Sequence, residues 1–177
     1  MPLPIGFPPA TETGAIEVKQ YPEYRAVTYT HNGEVQQASR VAFNPLYQHI
    51  SSNNIAMTSP VEVRYYGDNP VQIDSYTRAE VSFLYSDPHI APTTIAPMVK
   101  VTDYPPMTVA SIGIQGAYTW ESYQTHLQQL LDWLDRHPEY KIVGESRRFL
   151  YNSPMTPESL KRSEVQIPIE LSSSNPN

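Results

Sequence analysis

The feature that most constrains the fold is a sequence pattern that occurs twice. The motif V-x-x-Y-P occupies residues 18–22 and returns at residues 101–105, and the offset of 83 positions between the two copies also takes Gly33 to Gly116. In each copy the motif interrupts a strand-like stretch, because proline cannot donate to a ladder, and the glycine marks a turn. We interpret the chain as an internal duplication in which each half contributes a strand, a helix and two further strands.

A helix is predicted after the turn in each half. Apolar residues recur at spacings of three and four in residues 33–54, and again after Thr119, which is typical of one buried helical face. Thr119 is a good N-cap, whereas Pro45 should kink the first helix because it removes a backbone hydrogen bond. The two apolar faces comprise Val35, Ala38, Ala42, Phe43, Leu46 and Ile50, and Trp120, Tyr123, Leu127, Leu130, Leu131 and Leu134.

The fold class follows from the burial of these faces, because an amphipathic helix must lay its apolar face on another element. Strand patterns span residues 16–30, 61–66, 80–86, 101–114, 141–151 and 164–171. We therefore predict an α+β fold: a twisted antiparallel sheet or distorted β-barrel flanked by two helices. Two quasi-equivalent halves also leave a groove along their shared axis, and such grooves commonly bind ligands.

Length and composition indicate one domain, since 177 residues can bury a core of their own. Residues 1–15 contain four prolines and are predicted to form an extended lead. Residues 16–171 are predicted to form the domain, with quasi-repeats at about 16–90 and 99–171, and residues 172–177 a disordered tail.

Charge and composition exclude several classes of function. The formal charge of −6 disfavours a broad grip on nucleic acid or on an anionic membrane. The chain has no cysteine, and therefore no disulfide, thiolate metal site or cysteine nucleophile. No apolar run reaches the roughly 20 residues of a membrane helix, and the start lacks the basic region of a secretory signal. We predict a cytoplasmic protein, with an organelle after transit-peptide removal as the alternative.

Motifs for familiar catalytic and metal chemistry are missing. The sequence has no G-x-S-x-G elbow, no phosphate-binding glycine loop and no H-E-x-x-H pair. The five histidines lack the close spacings of a zinc site, so neither catalytic nor metal-ligating residues are predicted. His126 and His137 are predicted to lie on one side of the second helix; a ligand role is one interpretation, and we favour a solvated helix edge.

Charged residues in the strand patterns leave two interpretations open. One is a pair of carboxylates for acid–base chemistry; we favour outward-facing positions or ion pairs with nearby arginines. The residues concerned are Glu62, Glu80, Glu145 and Glu164, with Arg64, Arg147 and Arg148. The adjacent basic pairs, Arg147-Arg148 and Lys161-Arg162, could also hold ligand carboxylates at the rim of a groove, because arginine binds carboxylates in bidentate geometry.

Three segments resemble the SOUL haem-binding protein family. They are "IEVKQYPEYRAVTY", "AFNPLYQHISSNNIAMTSPV" and "FLYNSPMTPESLKRSEVQIPI", which occur in the family's order and cover most of residues 16–169. The specific elements are the Tyr-Pro strand, F-x-x-L-x-x-x-I at Phe43, Leu46 and Ile50, M-T-S-P-V from Met57, Y-N-S-P from Tyr151, and R-x-E-V from Arg162.

The resemblance implies a duplicated α+β fold that binds a tetrapyrrole in an apolar groove. It places the groove between the first helix, here residues 35–52, and the loop between the last two strands, here residues 152–163. The implied cofactor is non-covalent b-type haem or another tetrapyrrole, and the implied role is a buffer, carrier or sensor without dedicated catalysis. The implied binding residues are Phe43, Tyr47, Ile50 and Met57 for apolar contact, and Arg40, Lys161 and Arg162 for the propionates.

One position departs from the pattern of some members of the family. Those members carry a histidine immediately before the tyrosine of the first strand, and an axial iron-ligand role has been proposed for it. Gln20 occupies this position here. The resemblance therefore implies the looser mode, in which binding depends on apolar contacts and on basic residues at the propionates.

The M-T-S-P segment is predicted to be a rigid elbow between helix and sheet. Pro60 fixes its own φ and restricts Ser59 to extended geometry, and Thr58 or Ser59 can satisfy open backbone groups. Met57 is a pliable side chain that can shape a groove, and its thioether could alternatively approach an iron.

Two other functions stay open as alternatives. An enzyme acting on a small ligand would need a groove glutamate with a raised pKa. A peptide-binding interaction module would show a large exposed apolar patch.

Overall fold

The computed structural model describes residues 1–172, which form nine strands and two α-helices around one sheet. The elements are β1 (Ile16–Tyr21), β2 (Tyr24–Asn32), α1 (Ala38–Ser52), β3 (Val61–Gly67), β4 (Tyr76–Leu84), β5 (Lys100–Tyr104), β6 (Met107–Gln115), α2 (Trp120–Asp135), β7 (Tyr140–Ile142), β8 (Arg147–Leu150) and β9 (Arg162–Leu171). Apart from Ser172, the tail predicted at 172–177 lies outside the described residues. None of the helices described is long and apolar enough to cross a membrane.

The strand order confirms the duplication. All pairs are antiparallel, in the order β1-β6-β9-β8-β3-β4-β2-β5, and β7 adds to β9. If each strand is replaced by the equivalent strand of the other half and the order is then read backwards, the same order results. The register obeys the same symmetry: Tyr24 lies opposite Tyr104 in β5, and Met107 lies opposite Tyr21 in β1.

The sheet is twisted but open, so the sheet form of the predicted fold class is confirmed and the barrel form is wrong. Within residues 1–172 no ladder joins β1 to β5, the two ends of the order. Both Tyr-Pro motifs interrupt strands as predicted, at Pro22 between β1 and β2 and at Pro105 between β5 and β6. β1 lies at one end of the strand order and β2 lies next to the strand at the other end, yet only two residues connect them. The sheet therefore curls strongly, so that its two ends come close together.

Both helices pack on the outer face of the curled sheet. Ala38, Ala42, Leu46 and Ile50 of α1 are buried there as predicted, but Phe43 is 44% exposed. Pro45 lies inside α1. At the start of α2, the side chain of Thr119 accepts a hydrogen bond from the N–H of Ser122 at 3.1 Å, which confirms the predicted N-cap.

The inner face of the curl holds a second core with buried charges. The carboxylate of Glu62 accepts hydrogen bonds from Arg147 at 2.7 Å, from Arg64 at 2.9 Å and from the hydroxyl of Tyr24. The ion pairs predicted for Glu62 are therefore confirmed. Its predicted alternative, an outward-facing position, is wrong, because Glu62 faces the closed interior of the curl and is 0% exposed.

A second buried carboxylate, Glu164, lies in the same interior. It accepts hydrogen bonds from Lys19 at 3.1 Å, from Ser111 at 2.9 Å and from Tyr151 at 2.9 Å. Arg147 is fully buried between the hydrogen-bond network of Glu62 and that of Glu164. The expectation that Arg147 stands at a groove rim is therefore wrong.

We predict that stability falls in acid because of Glu62. Burial alone would raise the pKa of its carboxyl, but Arg64 and Arg147 favour the ionised form and hold the pKa at about 2, below the ordinary value of 4.5. The stabilisation is therefore complete above pH 4.5 and is lost as the pH falls towards 2, by on the order of 3 kcal/mol. Urea unfolding at a series of pH values measures this loss.

Two variants distinguish the effect of Glu62 on the pH dependence of stability from the effects of other carboxylates. Glu62→Gln should be less stable at pH 7, because it leaves buried arginines unpaired, and should show a shallower fall in acid. The exposed Glu139 provides the control Glu139→Gln, which should retain the full pH dependence. An equally steep fall in Glu62→Gln would contradict the assignment.

Candidate ligand-binding groove

An apolar groove of about 520 Å³ lies between α1 and the connection from β8 to β9. Its floor is formed by β3 and β4, one end by the segment before β3, and the far wall by the residues after β8. The lining residues are Met1, Ser39, Arg40, Phe43, Tyr47, Met57, Thr58, Ser59, Val61, Val81, Phe83, Tyr118, Leu150, Tyr151, Asn152, Ser153, Pro154 and Lys161. The two walls belong to different halves of the chain.

The segment before β3 is the predicted elbow. The hydroxyl of Thr58 donates to the carbonyl of Leu84, and that of Ser59 donates to the carbonyl of Tyr151 at 2.9 Å. Both side chains are buried, and they satisfy backbone groups as predicted. Because Ser59 bonds to the residue after β8, the elbow joins one end of the groove to its far wall. Met57 lines the groove beside it.

Two aromatic rings of α1 form the near wall. The rings of Phe43 and Tyr47 lie parallel, with centroids 6.0 Å apart and an interplanar angle of 9°. Phe43 also meets Phe83 of the floor edge-on at 5.6 Å. Phe43 and Tyr47 are 44% and 51% exposed, although the sequence pattern assigned Phe43 to the core face. The helix therefore presents flat apolar surface to the groove with these two rings, while its other apolar residues pack on the sheet.

The charges at the groove are basic. Among the described residues, Arg40 and Lys161 line it and no Asp or Glu does. Lys161 is nearly buried, lies over the ring of Tyr118 and donates to Glu158 at 2.7 Å. Arg40 is exposed on α1 and donates to Oε1 of Gln37 at 3.4 Å.

The structure brings together most of the residues predicted for the site. Arg40, Phe43, Tyr47, Met57 and Lys161 all line the groove. The two others lie elsewhere: Ile50 belongs to the core beneath α1 and is 4% exposed, and the guanidinium of Arg162 donates to the carbonyl of Thr11 at 3.2 Å.

Sequence reasoning missed several groove residues. Val81 and Phe83 of β4 form part of the floor, and Tyr118 and Tyr151 stand in the far wall. Tyr151 begins the Y-N-S-P motif, so the family resemblance includes this residue but assigns it no part in binding. Tyr118 follows the turn glycine of the second half, and no local signal indicates that it faces the helix of the first half.

The hydroxyls of the far wall are already engaged. Tyr118 donates to the carbonyl of Arg162 at 3.0 Å, and Tyr151 donates to Glu164 at 2.9 Å. None of the five histidines lines the groove. His49 lies on α1 but is buried against Tyr85, 2.7 Å from its hydroxyl, and burial lowers the pKa of its imidazole. The groove thus offers apolar faces, two cations and the Met57 thioether, which fit an anionic, largely apolar ligand.

The equivalent place in the second half is filled. By strand register, Val165, Ile167 and Tyr65 correspond to the groove residues Val81, Phe83 and Leu150. Trp120 of α2 packs on Tyr65 at 5.4 Å, and Tyr76 stacks on Tyr65 at 5.2 Å. The hydroxyls of Tyr76 and Tyr123 both lie 2.6 Å from that of Ser146. Aromatic side chains of the chain itself therefore occupy the position that is open in the first half.

A duplicated α+β domain with one apolar groove is typical of a small-ligand-binding protein. The chain belongs to the SOUL heme-binding protein family, whose model matches residues 8–168. Membership of this family supports tetrapyrrole binding in general. No curated protein matches the sequence.

Solved structures share the fold. The EcmrR C-terminal domain matches with a TM-score of 0.72 at 12% identity, over 89% of this chain and 98% of that one. A hydrolase from Listeria innocua matches with a TM-score of 0.62 at 11% identity, over 90% and 94%. SAV2435 bound to tetraphenylphosphonium matches with a TM-score of 0.56 at 11% identity, over 88% and 94%. At these identities the likeness shows the fold alone.

We predict that the elbow depends on the hydroxyl of Thr58. Thr58→Val keeps the shape of the side chain but leaves the buried carbonyl of Leu84 without its donor, which should lower the free energy of unfolding by about 1–3 kcal/mol. Urea unfolding measures the change. Thr125→Val, at an exposed position of α2, is the matched control. Equal effects of the two substitutions would show that this hydrogen bond does not stabilise the elbow.

Proposed function

We propose that the protein binds haem or a related tetrapyrrole reversibly in the groove between α1 and the β8–β9 connection. In this role it acts as a buffer, carrier or sensor, without dedicated catalysis. The observation that carries the proposal is the composition of the groove: its walls are apolar and aromatic, and among the described residues it has two cations and no acidic side chain, in a chain whose formal charge is −6.

The ligand class follows from this composition. A tetrapyrrole with propionates combines a flat apolar macrocycle with carboxylates, and the groove supplies the complement of each. Phe43 and Tyr47 would pack against the macrocycle, and Arg40 and Lys161 would pair with carboxylates. The volume of about 520 Å³ lies within the range of roughly 300–1,000 Å³ that is usual for small-molecule sites.

Non-covalent binding is supported by the chemistry of the chain. The sequence has no cysteine, and cysteine thiols are the groups that attach c-type haem. Bound haem would supply an iron centre for ligand or redox chemistry. Met57 lines the groove, and its thioether could approach the iron, while the apolar walls and the cations would hold the macrocycle itself.

The enzyme alternative needs a groove glutamate with a raised pKa. The described lining contains no Asp or Glu. The buried Glu62 lies in the interior instead, and its pKa is held at about 2 by Arg64 and Arg147 against the effect of burial. The groove therefore lacks the acid–base group on which this alternative depends.

Lipophilic cations are a second ligand class to test, because the solved structure of SAV2435 is bound to tetraphenylphosphonium. Arg40 and Lys161 disfavour such a ligand here, since they would repel it in a site of low dielectric. Tetraphenylphosphonium should therefore fail to displace a porphyrin from the groove. A peptide is the third alternative, and it would bind without any affinity for porphyrins.

We predict one hemin per chain. The second half has no equivalent groove among the described residues, because Trp120, Tyr76 and Tyr123 fill it. A hemin titration followed in the Soret region should saturate at a ratio of one, with serum albumin as the scale for nonspecific uptake. Saturation at two hemins per chain would contradict the prediction that only the first half has an open groove. Uptake no better than that of the albumin control would reject tetrapyrrole binding.

We predict that Phe43 provides a large share of the affinity. Phe43→Ala removes one ring of the near wall and should raise the Kd for hemin about tenfold, the effect of losing most of the burial of one aromatic side chain. Val41 lies on the same helix, is 42% exposed and does not line the groove, so Val41→Ala is the matched control and should leave the Kd unchanged. Equal effects at both positions would place the ligand elsewhere.

A further inference from the structure

The two cations of the groove differ in their surroundings. Arg40 stands exposed on α1, whereas the side chain of Lys161 is only 10% exposed. Lys161 is held in place on two sides: its Nζ lies 5.1 Å from the centre of the Tyr118 ring and donates to Oε1 of Glu158 at 2.7 Å. The groove wall therefore contains a fixed, nearly dry ammonium group that already has a carboxylate partner.

The partner carboxylate, by contrast, is exposed. Glu158 lies on a short 3₁₀ turn, Glu158–Leu160, and its side chain is 66% exposed. An exposed carboxylate regains its hydration when it leaves an ion pair, so the pair contributes little net stability. Lys161 cannot leave the wall in the same way without losing its contact with Tyr118. A ligand carboxylate can therefore replace Glu158 at small cost.

We propose that Glu158 occupies the position of a ligand carboxylate at Lys161, and that exchange between the two makes the groove select tetrapyrroles with a free carboxylate over their esters. This inference rests on the proposed function and narrows its ligand class. An ester presents no charge to Lys161, so the Lys161–Glu158 pair stays intact when an ester binds. A free acid replaces Glu158 and gains the ion pair itself.

The test compares protoporphyrin IX with its dimethyl ester by fluorescence titration. The proteins are the unmodified chain, Glu158→Gln, Lys161→Met and the double variant. Glu158→Gln should bind the free acid about two- to fivefold more tightly, the range allowed by the strength of a partly exposed ion pair, and should bind the ester unchanged. Lys161→Met, which keeps an apolar stem over Tyr118, should weaken the acid alone and remove the effect of Glu158→Gln.

A control variant accounts for the change in net charge. Glu139→Gln removes the same charge from an exposed position between α2 and β7, outside the groove lining, and should leave both Kd values unchanged once long-range effects are screened by salt. The inference is overturned if Glu158→Gln acts equally on acid and ester, has no effect, or keeps its effect without Lys161. If the unmodified chain binds neither porphyrin saturably, the proposed function itself is wrong and this inference falls with it.

Discussion

Each half of the sheet is completed by a strand from the other half. β1 pairs with β6 and β5 pairs with β2, so the first strands of the two repeats are exchanged, and β3 meets β8 at the centre. Neither repeat contains a complete sheet of its own. The central β3–β8 pairing positions the groove, because it brings α1 of the first half beside the β8–β9 connection of the second. A ligand held between these walls is bound by both repeats at once.

The centre of the sheet shows how the two copies have diverged. Glu62 lies opposite Phe149 and Arg147 lies opposite Arg64, so Glu62 and Arg147 occupy equivalent positions in β3 and β8. Two identical copies would place like charges there, in an interior with little screening. The chain instead has opposite charges 2.7 Å apart. Such a pair adds little net stability against an apolar core, but it disfavours any arrangement of the halves that separates the two charges.

Other equivalent positions have stayed alike. The hydroxyl of Tyr66 donates to Glu80 at 2.8 Å, and that of Tyr151 donates to Glu164 at 2.9 Å, at matching places in the two repeats. In the second case the tyrosine also forms the far wall of the groove. That wall is thereby fixed to the buried charges behind it, while the opposite wall, on α1, is the exposed and apolar one.

The sequence predicted the duplication and both helices, but neither the strand order nor the interior of the sheet. The repeated Tyr-Pro motif predicted the duplication, and the spacing of apolar residues predicted both helices, because these signals are local and repeated. Alternation along a strand shows only that Glu62 and Glu164 face away from the helices. Whether that side meets water depends on the curl of the sheet, which arises from the pairing of strands far apart in sequence. Tyr118 was missed for the same reason, whereas Phe43 was recognised through the family motif.

The geometry of the groove bears on whether a ligand would be stored or exchanged. The near wall is made of two partly exposed rings, Phe43 and Tyr47, and no described histidine reaches the site to bind an iron. Binding energy would come from apolar area and from ion pairs at the edge, both of which are lost gradually as a ligand slides outward. A site that buried its ligand completely and ligated the metal would release it slowly. An open groove with the carboxylate exchange proposed at Lys161 would suit uptake and transfer, in line with the proposed role as a buffer or carrier.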